Sequence, residues 1–217
     1  MTADLFAEDP GAARQPLGRH ACLLRGFALG AVDELLTALA TVQQASPLRH
    51  MVTPGGFTMS VATTNCGPLG WISDRRGYRY TAIDPAHGRA WPAMPESFMT
   101  LAREAAAAAG FDGFEPDACL INQYVPGARL SLHQDRDEAD FGAPIVSVSL
   151  GMSATFQFGG LARTDPVTKV SLHHGDAVVW GGEDRLRFHG VMPLRGAPHP
   201  HPQLADRRIN LTFRKAG

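Results

Sequence analysis

The sequence predicts an α+β, mainly β protein: a double-stranded β-helix, or jelly roll, with helices in its N-terminal half. From residue 117 onward, short apolar segments alternate with turns that contain Gly or Pro. The segment "APIVSVSLG" shows the strand period, with Val146, Val148 and Leu150 on one face. Many short strands with regular turn signals favour a sandwich or barrel, and the jelly roll is the natural arrangement of two sheets.

Two amphipathic helices are predicted before this β-rich half. The segment 31–44, "AVDELLTALATVQQ", places on one helical face the residues Val32, Leu35, Leu36, Leu39 and Val42. The segment 95–110 begins with Pro95 and ends at Gly110, as helices commonly do. Residues 51–92 between them are rich in Gly, Thr and Pro and indicate short strands and loops. We expect the helices to pack on the outside of one sheet.

Eight strands are predicted in the C-terminal half. They cover residues 118–125, 128–135, 143–151, 154–160, 169–172, 176–180, 185–191 and 207–214.

Composition limits the class of protein. The chain has 217 residues, 44% of them apolar and 19% charged, with a net charge of −1, as expected for one globular domain. A near-neutral chain does not coat nucleic acid or anionic membrane by bulk electrostatics, although "SDRRGYRY" (73–80) is a local basic patch. The three cysteines form no Cys-x-x-Cys pair, which fits a reducing compartment. The N-terminus "MTADLFAEDPG" has no apolar secretory segment and no run could span a membrane, so we expect a cytoplasmic protein. Nothing in the sequence demands more than a monomer, so a monomer is expected.

The stretch "LSLHQDRDE" (130–138) carries the first chemical signal. Residues i and i+2 of a strand point to the same face, so His133 and Asp135 could direct a nitrogen and an oxygen at one metal ion. A surface histidine beside a turn aspartate is the simpler alternative. A third ligand is needed, and His189, late in a predicted strand, is in a more rigid place than the histidines at 173, 174, 199 and 201. Two histidines and one carboxylate form the facial triad of non-haem Fe(II) oxygenases, whereas zinc prefers a more closed site.

The last strand, "RRINLTFR", carries the second signal. Its period of two places Arg208, Asn210, Thr212 and Arg214 on the face opposite the apolar residues. Buried guanidinium groups are costly unless they meet anions, so this pair suits a dicarboxylate. Asn122 and Tyr124 of an earlier strand are neutral donors for the same ligand. The alternative is an edge strand whose arginines face water.

These motifs together resemble the Fe(II)/2-oxoglutarate-dependent dioxygenases, and specifically the AlkB family of alkylation-repair enzymes. The resemblance rests on "HQD" (133–135), "GDAVVWGG" (175–182), "RFHG" (187–190) and "RRINLTFR" in this order. The stretches "MVTPGGFTMSVATTNCGPLGW", "WPAMP" and "PDACLINQYVPGARLSLHQD" extend it to nearly the whole chain. Phe57, Thr63 and the loop "GAPHPHPQLAD" depart from the family pattern, which concerns fine substrate preference.

The resemblance implies a set of site residues and a single dioxygenase domain over residues 1–217. It implies Fe(II) at His133, Asp135 and His189, and 2-oxoglutarate held by Arg208 and Arg214 with Asn122, Tyr124 and Asn210. It implies a nucleotide-recognition lid at 51–92, between an N-terminal extension and support helix (1–50) and a second support helix and catalytic core (93–217). The implied substrate contacts are Trp71, stacked on the damaged base opposite the His133 ring, together with Tyr78, Arg79, Tyr80, Asp137 and Arg163.

The implied reaction is oxidative demethylation of N-alkylated bases in single-stranded DNA, with RNA as a second candidate and O2 and 2-oxoglutarate as cosubstrates. Aromatic stacking and arginine contacts suit a flipped or single-stranded nucleotide. Two alternatives stay open at this point. One is a dioxygenase of the same cofactors that acts on a protein side chain or a small metabolite. The other is a metal-stabilised β-sandwich binding module without redox chemistry, in which buried arginines facing a dicarboxylate have no purpose.

Overall fold

The computed structural model describes residues 13–217, so the N-terminal stretch "MTADLFAEDPG" lies outside the described residues. The two α-helices are α1 (Val32–Ala45) and α2 (Glu96–Ala108). The strands are β1 (Arg14–Pro16), β2 (Ala21–Leu24), β3 (Arg49–Val52), β4 (Thr58–Cys66), β5 (Gly70–Asp74), β6 (Gly77–Thr81), β7 (Ile83–Asp84), β8 (Arg89–Ala90), β9 (Ala118–Tyr124), β10 (Leu130–His133), β11 (Ile145–Gly151), β12 (Ala154–Phe158), β13 (Thr168–Leu172), β14 (Ala177–Trp180), β15 (His189–Val191) and β16 (Arg208–Arg214). Short 3-10 helices cover Leu29–Ala31, Gly182–Asp184 and Pro202–Leu204. Within 13–217, no helix is both long and apolar enough to cross a membrane.

Two sheets stack to form the core. The large sheet has eight strands in the order β1-β2-β14-β11-β16-β9-β4-β3, and the small sheet has four in the order β10-β15-β12-β13. The apolar side chains between them include Tyr124, Phe156, Phe158 and Trp180. This two-sheet arrangement is the predicted jelly-roll core.

Both helices pack on the outer face of the large sheet, as predicted. All five apolar residues of the predicted face of α1 are buried there. In β16 the apolar residues Ile209, Leu211 and Phe213 belong to this same cluster, and the Phe98 ring of α2 meets the Phe213 ring edge to face. The other face of β16, with its arginines, is therefore turned toward the small sheet.

Strand β16 lies in the middle of the large sheet, between β11 and β9, with unbroken antiparallel register on both sides. All seven of its residues are buried. The alternative of an edge strand whose arginines face water is therefore excluded.

The segment 51–92 is divided between the large sheet and two hairpins. β4 is a long strand of the sheet beside β9, whereas β5–β6 and β7–β8 are separate two-stranded ribbons. The β5–β6 ribbon packs over a small apolar cluster of its own, in which Ile72 and Trp91 are buried with Met51.

Two predicted strands are wrong in their extent. The strand expected over 128–135 covers only Leu130–His133, so Asp135 lies beyond its end and not within it. The strand expected over 185–191 covers only His189–Val191. The preceding residues form turns instead, because the amides of Arg185 and Arg187 donate to the carbonyls of Gly182 and Asp184. His189 is thus the first residue of its strand rather than a late one.

Candidate active site

The two histidines of the predicted triad face each other across adjacent strands. His133 ends β10 and His189 begins β15, and the two residues are register partners in the antiparallel pair. Their ring centroids are 4.4 Å apart. Asp135 lies two residues after the end of β10, and each of its two carboxylate oxygens faces one of the two imidazole rings. Oδ1 lies 3.6 Å from Nε2 of His133, and Oδ2 lies 3.6 Å from Nε2 of His189.

Backbone contacts orient both imidazoles toward a common point. Nδ1 of His133 lies 2.9 Å from the Ser131 carbonyl, and Nδ1 of His189 lies 3.1 Å from the Arg187 carbonyl. A carbonyl only accepts, so each Nδ1 carries the proton and each Nε2 presents a lone pair. Metal-binding histidines typically have this second hydrogen bond.

The protonation states suit a cation site. Burial lowers the pKa of His189 to about 4, and the nearby His133 adds to this effect. Burial acts to raise the pKa of the Asp135 carboxyl, but the Arg214 guanidinium and the two neighbouring histidines together outweigh it and hold that pKa well below its ordinary value. The site therefore offers the Asp135 carboxylate and a neutral His189 imidazole at neutral pH.

A metal ion fits this donor set. The three candidate ligand atoms lie within 4.8 Å of one another, and this is the only such group found in residues 13–217. Two imidazole nitrogens and one carboxylate on one side of an ion leave further positions open on the other side, as in the facial triad. His133 is half-exposed, so the open side is reached from solvent, whereas His189 is buried.

The inner face of the large sheet carries the predicted cosubstrate residues. Asn122 and Asn210 are register partners, as are Tyr124 and Arg208, so these four side chains form two adjacent rows of one face. Arg208 is only 1% exposed, and its guanidinium lies 4.9 Å from the Tyr124 ring centroid. Nη2 donates to Ser149 at 2.9 Å, but Nε and Nη1 have no hydrogen-bond partner. A buried cation with unpaired donors is the chemistry of a carboxylate site.

Arg214, at the other end of β16, is already paired. Its Nη2 and Nε donate to Oδ2 of Asp135 at 2.6 and 3.0 Å. Its Nη1 lies 3.3 Å from the Tyr80 hydroxyl. The two arginines of the strand therefore differ. Arg208 has two N–H groups without a hydrogen-bond partner, whereas Arg214 is hydrogen-bonded to Asp135 of the triad.

The β5–β6 ribbon brings three of the predicted substrate contacts to one face. Trp71 pairs with Tyr80 across the ribbon. The Trp71 ring stacks on the Tyr78 ring, with the ring centroids 5.5 Å apart and an angle of 13° between the ring planes. The Trp71 Nε1–H donates to Oδ2 of Asp137 at 2.9 Å, and Asp137 is only two residues beyond Asp135. The Tyr80 hydroxyl donates a hydrogen bond to Glu138 and accepts one from Arg214. The ribbon is thus attached directly beside the triad.

Two further predicted contacts lie elsewhere. Arg79 projects from the opposite face of the ribbon, where its guanidinium pairs with Asp74 at 2.7 Å. Arg163 is exposed and donates to the Leu132 carbonyl at 2.7 Å, immediately before His133, while its guanidinium covers the Phe188 ring. The structure therefore brings Arg163 to the rim of the triad but leaves Arg79 away from it. The divergent Phe57 is 76% exposed, and Thr63 is buried opposite Asn122.

Sequence reasoning missed several residues that hold the site. Gln134 donates to the Leu186 carbonyl at 2.6 Å and so links the two ligand-bearing segments. The Trp180 ring lies 4.9 Å from the His189 ring. Glu138 and Arg185 form a buried ion pair behind Asp135. The charged run after "HQD" was a signal for Glu138, but no local pattern distinguished it from a solvated carboxylate.

Comparisons with known proteins identify the class. The family model of the 2OG-Fe(II) oxygenase superfamily matches residues 20–214. The chain is 58% identical over 214 residues to the alpha-ketoglutarate-dependent dioxygenase AlkB of Escherichia coli (strain K12), covering 99% of this chain and 98% of that one. It is 35% identical over 133 residues to the nucleic acid dioxygenase ALKBH1 of Mus musculus, covering 61% of this chain and 33% of that one. The solved structure of OsALKBH1 superposes with a TM-score of 0.81 at 29% identity, covering 93% of this chain and 99% of that one.

The chain therefore belongs to the 2OG-Fe(II) oxygenase superfamily and is a dioxygenase that uses Fe(II), 2-oxoglutarate and O2. Within the superfamily it is an AlkB-family enzyme. The predicted family and fold are confirmed, and the triad of His133, Asp135 and His189 is its candidate iron site.

Proposed function

We propose that this enzyme removes alkyl groups oxidatively from N-alkylated bases, such as 1-methyladenine and 3-methylcytosine, in single-stranded DNA, with RNA as a second substrate. The observation that carries the proposal is the Trp71–Tyr78 stack hydrogen-bonded to Asp137 beside the triad. An aromatic surface next to a carboxylate suits a flat, positively charged ring. The name of the mouse relative, a nucleic acid dioxygenase, agrees with a nucleic-acid substrate.

In this proposal His133, Asp135 and His189 hold the iron. The bound metal supplies the redox chemistry that couples decarboxylation of 2-oxoglutarate by O2 to hydroxylation of the alkyl group. Arg208 binds one carboxylate of 2-oxoglutarate through its unpaired Nε and Nη1. Asn122, Tyr124 and Asn210 line the same face as neutral hydrogen-bonding groups. Arg214 assists at the other end while it orients Asp135.

The overall reaction balances without a further reductant. One oxygen atom of O2 enters the succinate carboxylate and the other enters the methyl group, with release of CO2. The resulting hydroxymethyl group loses formaldehyde when its N–C bond breaks. The bonding electrons stay on the ring nitrogen, so a cationic methylated base returns to its neutral form and the hydroxyl proton is released.

The remaining predicted contacts select the base and guide the strand. Trp71 stacks on the flipped base, and Asp137 attracts its positive charge. Tyr78 and Arg163, both exposed at the rim, contact the neighbouring backbone. Arg79 acts indirectly in this proposal, because its pair with Asp74 holds the turn of the ribbon. The chain of residues 1–217 acts as a single dioxygenase domain, and within it residues 51–92 act as the nucleotide-recognition lid.

We also propose that the enzyme works as a cytoplasmic monomer. Cys22, Cys66 and Cys119 are all free and buried, which fits a reducing compartment.

The test is product formation from a defined oligonucleotide. Fe(II)-loaded protein, prepared anaerobically, is given 2-oxoglutarate, O2 and a single-stranded oligonucleotide that contains 1-methyladenine. We expect equimolar formaldehyde and succinate, both lost in His133→Ala. Trp71→Ala should lose formaldehyde while a slow, substrate-independent succinate release persists.

The outcomes separate the alternatives. Succinate without formaldehyde from any methylated oligonucleotide would move the substrate to a protein side chain or a metabolite. Neither product from metal-loaded protein would contradict the assignment of the site itself.

A further inference from the structure

Glu138 is a buried carboxylate with no part in the predicted site. It lies in the loop after β10, five residues beyond the end of that strand, yet its side chain is only 2% exposed. Its Oε1 accepts a hydrogen bond from the Tyr80 hydroxyl at 2.7 Å and lies 3.4 Å from Nε of Arg214. Its Oε2 lies 3.2 Å from Nη2 of Arg185. One carboxylate thus meets two guanidiniums and the phenol of the β5–β6 ribbon.

Both arginines that meet Glu138 also hold Asp135. Arg214 donates to the Asp135 carboxylate, as described above, and Arg185 donates through Nη1 to the Asp135 backbone carbonyl at 2.8 Å. Nε of Arg185 donates to the Ala143 carbonyl at 3.1 Å, which anchors it to the core. Asp135 is therefore held at its side chain by Arg214 and at its backbone by Arg185, and both of these cations also contact Glu138.

The charges of this group cancel. Asp135 and Glu138 balance Arg185 and Arg214, and the four side chains are at most 9% exposed. Removing one member of a buried ionic group leaves an uncompensated charge that must find a new arrangement. Glu138 thus contacts both arginines that hold Asp135 but does not touch the metal site directly.

Tyr80 connects this group to the ribbon. It is the cross-strand partner of Trp71, so Tyr80 and the stacked Trp71 and Tyr78 rings belong to the same two-stranded ribbon. Its hydroxyl donates to Glu138 and lies against Arg214, the residue that grips Asp135. A displacement of the ribbon that breaks the Tyr80 hydrogen bond also changes the environment of Arg214.

We propose that Glu138 is a positioning residue that orients Asp135 through Arg185 and Arg214, and that Tyr80 uses this carboxylate to couple the ribbon to the metal site. This inference rests on the metal site but not on a nucleic-acid substrate. Coupling between two sites is reciprocal. Through this coupling a metal ion that fixes Asp135 stabilises the docked ribbon, and the docked ribbon strengthens metal binding by the same factor. Loss of the Tyr80 hydroxyl removes the connection and should weaken metal binding.

The test measures both directions with Mn(II) as the probe. Hydrogen exchange of the backbone amides of residues 70–81 is followed with and without saturating Mn(II), and the Mn(II) Kd is measured by electron paramagnetic resonance. In the wild type, Mn(II) should slow exchange of these amides. In Tyr80→Phe that protection should largely disappear, and the Kd should rise roughly fivefold, as expected for one hydrogen bond of about 1 kcal/mol.

Tyr78→Phe is the matched control, because it removes a hydroxyl from the same strand without touching Glu138. It should keep the wild-type Kd and the wild-type protection of the ribbon by Mn(II). Equal protection in Tyr80→Phe and the wild type would overturn the coupling and leave the Trp71–Asp137 hydrogen bond as the connection.

Glu138→Gln tests the positioning role separately. The amide oxygen still accepts from Tyr80, but the charge balance of the group is lost. We expect the Mn(II) Kd to rise about 10-fold or more, the range found when residues that orient metal ligands are changed. A Kd within twofold of the wild type, in folded protein by circular dichroism, would overturn this role. Failure of the wild type to bind Mn(II) would instead contradict the metal site.

Discussion

Arg214 and His189 face the same oxygen atom of Asp135. Oδ2 accepts from Nη2 and Nε of Arg214 at 2.6 and 3.0 Å, and lies 3.6 Å from Nε2 of His189. Oδ1, which faces His133, has no such cation beside it. The triad is therefore asymmetric, because one half of its carboxylate is shared with an ion pair and the other half is turned toward the open side.

This asymmetry predicts that Asp135 stabilises the fold even without metal. Asp135→Asn leaves the buried Arg214 guanidinium without its main counterion, so the free energy of unfolding of metal-free protein should fall by about 3 kcal/mol. His133→Ala removes a half-exposed ligand and should cost less than about 1 kcal/mol. Urea unfolding in the presence of a chelator measures both. Equal losses would show that Arg214 does not depend on Asp135.

Because two N–H groups of the buried Arg208 have no partner, we expect this residue to strengthen 2-oxoglutarate binding without stabilising the unliganded fold. In Arg208→Met a buried cation with two unsatisfied atoms is replaced by an apolar side chain, so the unliganded protein should be at least as stable as the wild type. The rise in Tm that 2-oxoglutarate produces in Mn(II)-loaded protein should be abolished. Thermal shift assays measure both quantities. Arg207→Met, which alters the partly exposed neighbouring arginine, is the control and should keep the ligand-induced shift.

The charge of Asp137 should affect cationic substrates selectively. Asp137→Asn keeps an oxygen that can accept from the Trp71 indole but removes the charge. The KM for a 1-methyladenine oligonucleotide should rise about fivefold, since an exposed charge pair contributes up to about 1 kcal/mol. Succinate release without substrate should not change.

The control for this prediction is a neutral methylated base such as 1-methylguanine, whose KM should be the same in both proteins. If Asp137→Asn raises both KM values equally, the residue acts by orienting Trp71 and not by its charge.

Acid should weaken the anchor beneath the β7–β8 ribbon. Asp84 is 2% exposed, and its carboxylate pairs with Arg49 at 2.6 Å and accepts from Ser46. Burial acts to raise the pKa of Asp84, but the hydrogen bonds from Arg49, the Ala86 amide and Ser46 outweigh it and lower that pKa. A lowered pKa in the folded state means that this contribution is present above the unfolded pKa of about 3.9 and is lost as the pH falls through the folded value.

Asp84→Asn tests this pH dependence. The variant should be less stable at pH 7 by about 2 kcal/mol, the scale of hydrogen bonds to a charged group. Its free energy of unfolding should also fall less steeply than that of the wild type below pH 5, in urea titrations at a series of pH values. Parallel curves for the two proteins would assign the acid sensitivity to other carboxylates.

Much of the fold followed from local periodicity. Alternation in β11 and β16 and the apolar face of α1 are properties of a few consecutive residues. Both faces of the two strands are buried, and the alternating apolar residues all belong to the one cluster that packs against the helices. The strand expected over 185–191 is shorter than predicted because the amides of its first residues form turn hydrogen bonds instead of pairing with a neighbouring strand. The alternation of apolar and basic residues in the sequence gives no sign of these turns.

The site divides in the same way. The spacing of His133 and Asp135 pointed to a shared site, but the expected strand ends at His133, so the strand period is not what brings Asp135 to the site. The choice of His189 needed a guess about rigidity, which the register pairing of β10 with β15 then supported.

By itself the sequence determined the family, the β architecture and the residue types that face the site, because motif order and periodicity are written along the chain. Only the tertiary structure decided that Arg208 keeps free donors while Arg214 is paired, and that Glu138 lies buried between two arginines and Tyr80. The physical reason is that the partner of a buried charge is set by the side chains that packing brings within about 3 Å of it, and these come from segments far apart in the chain.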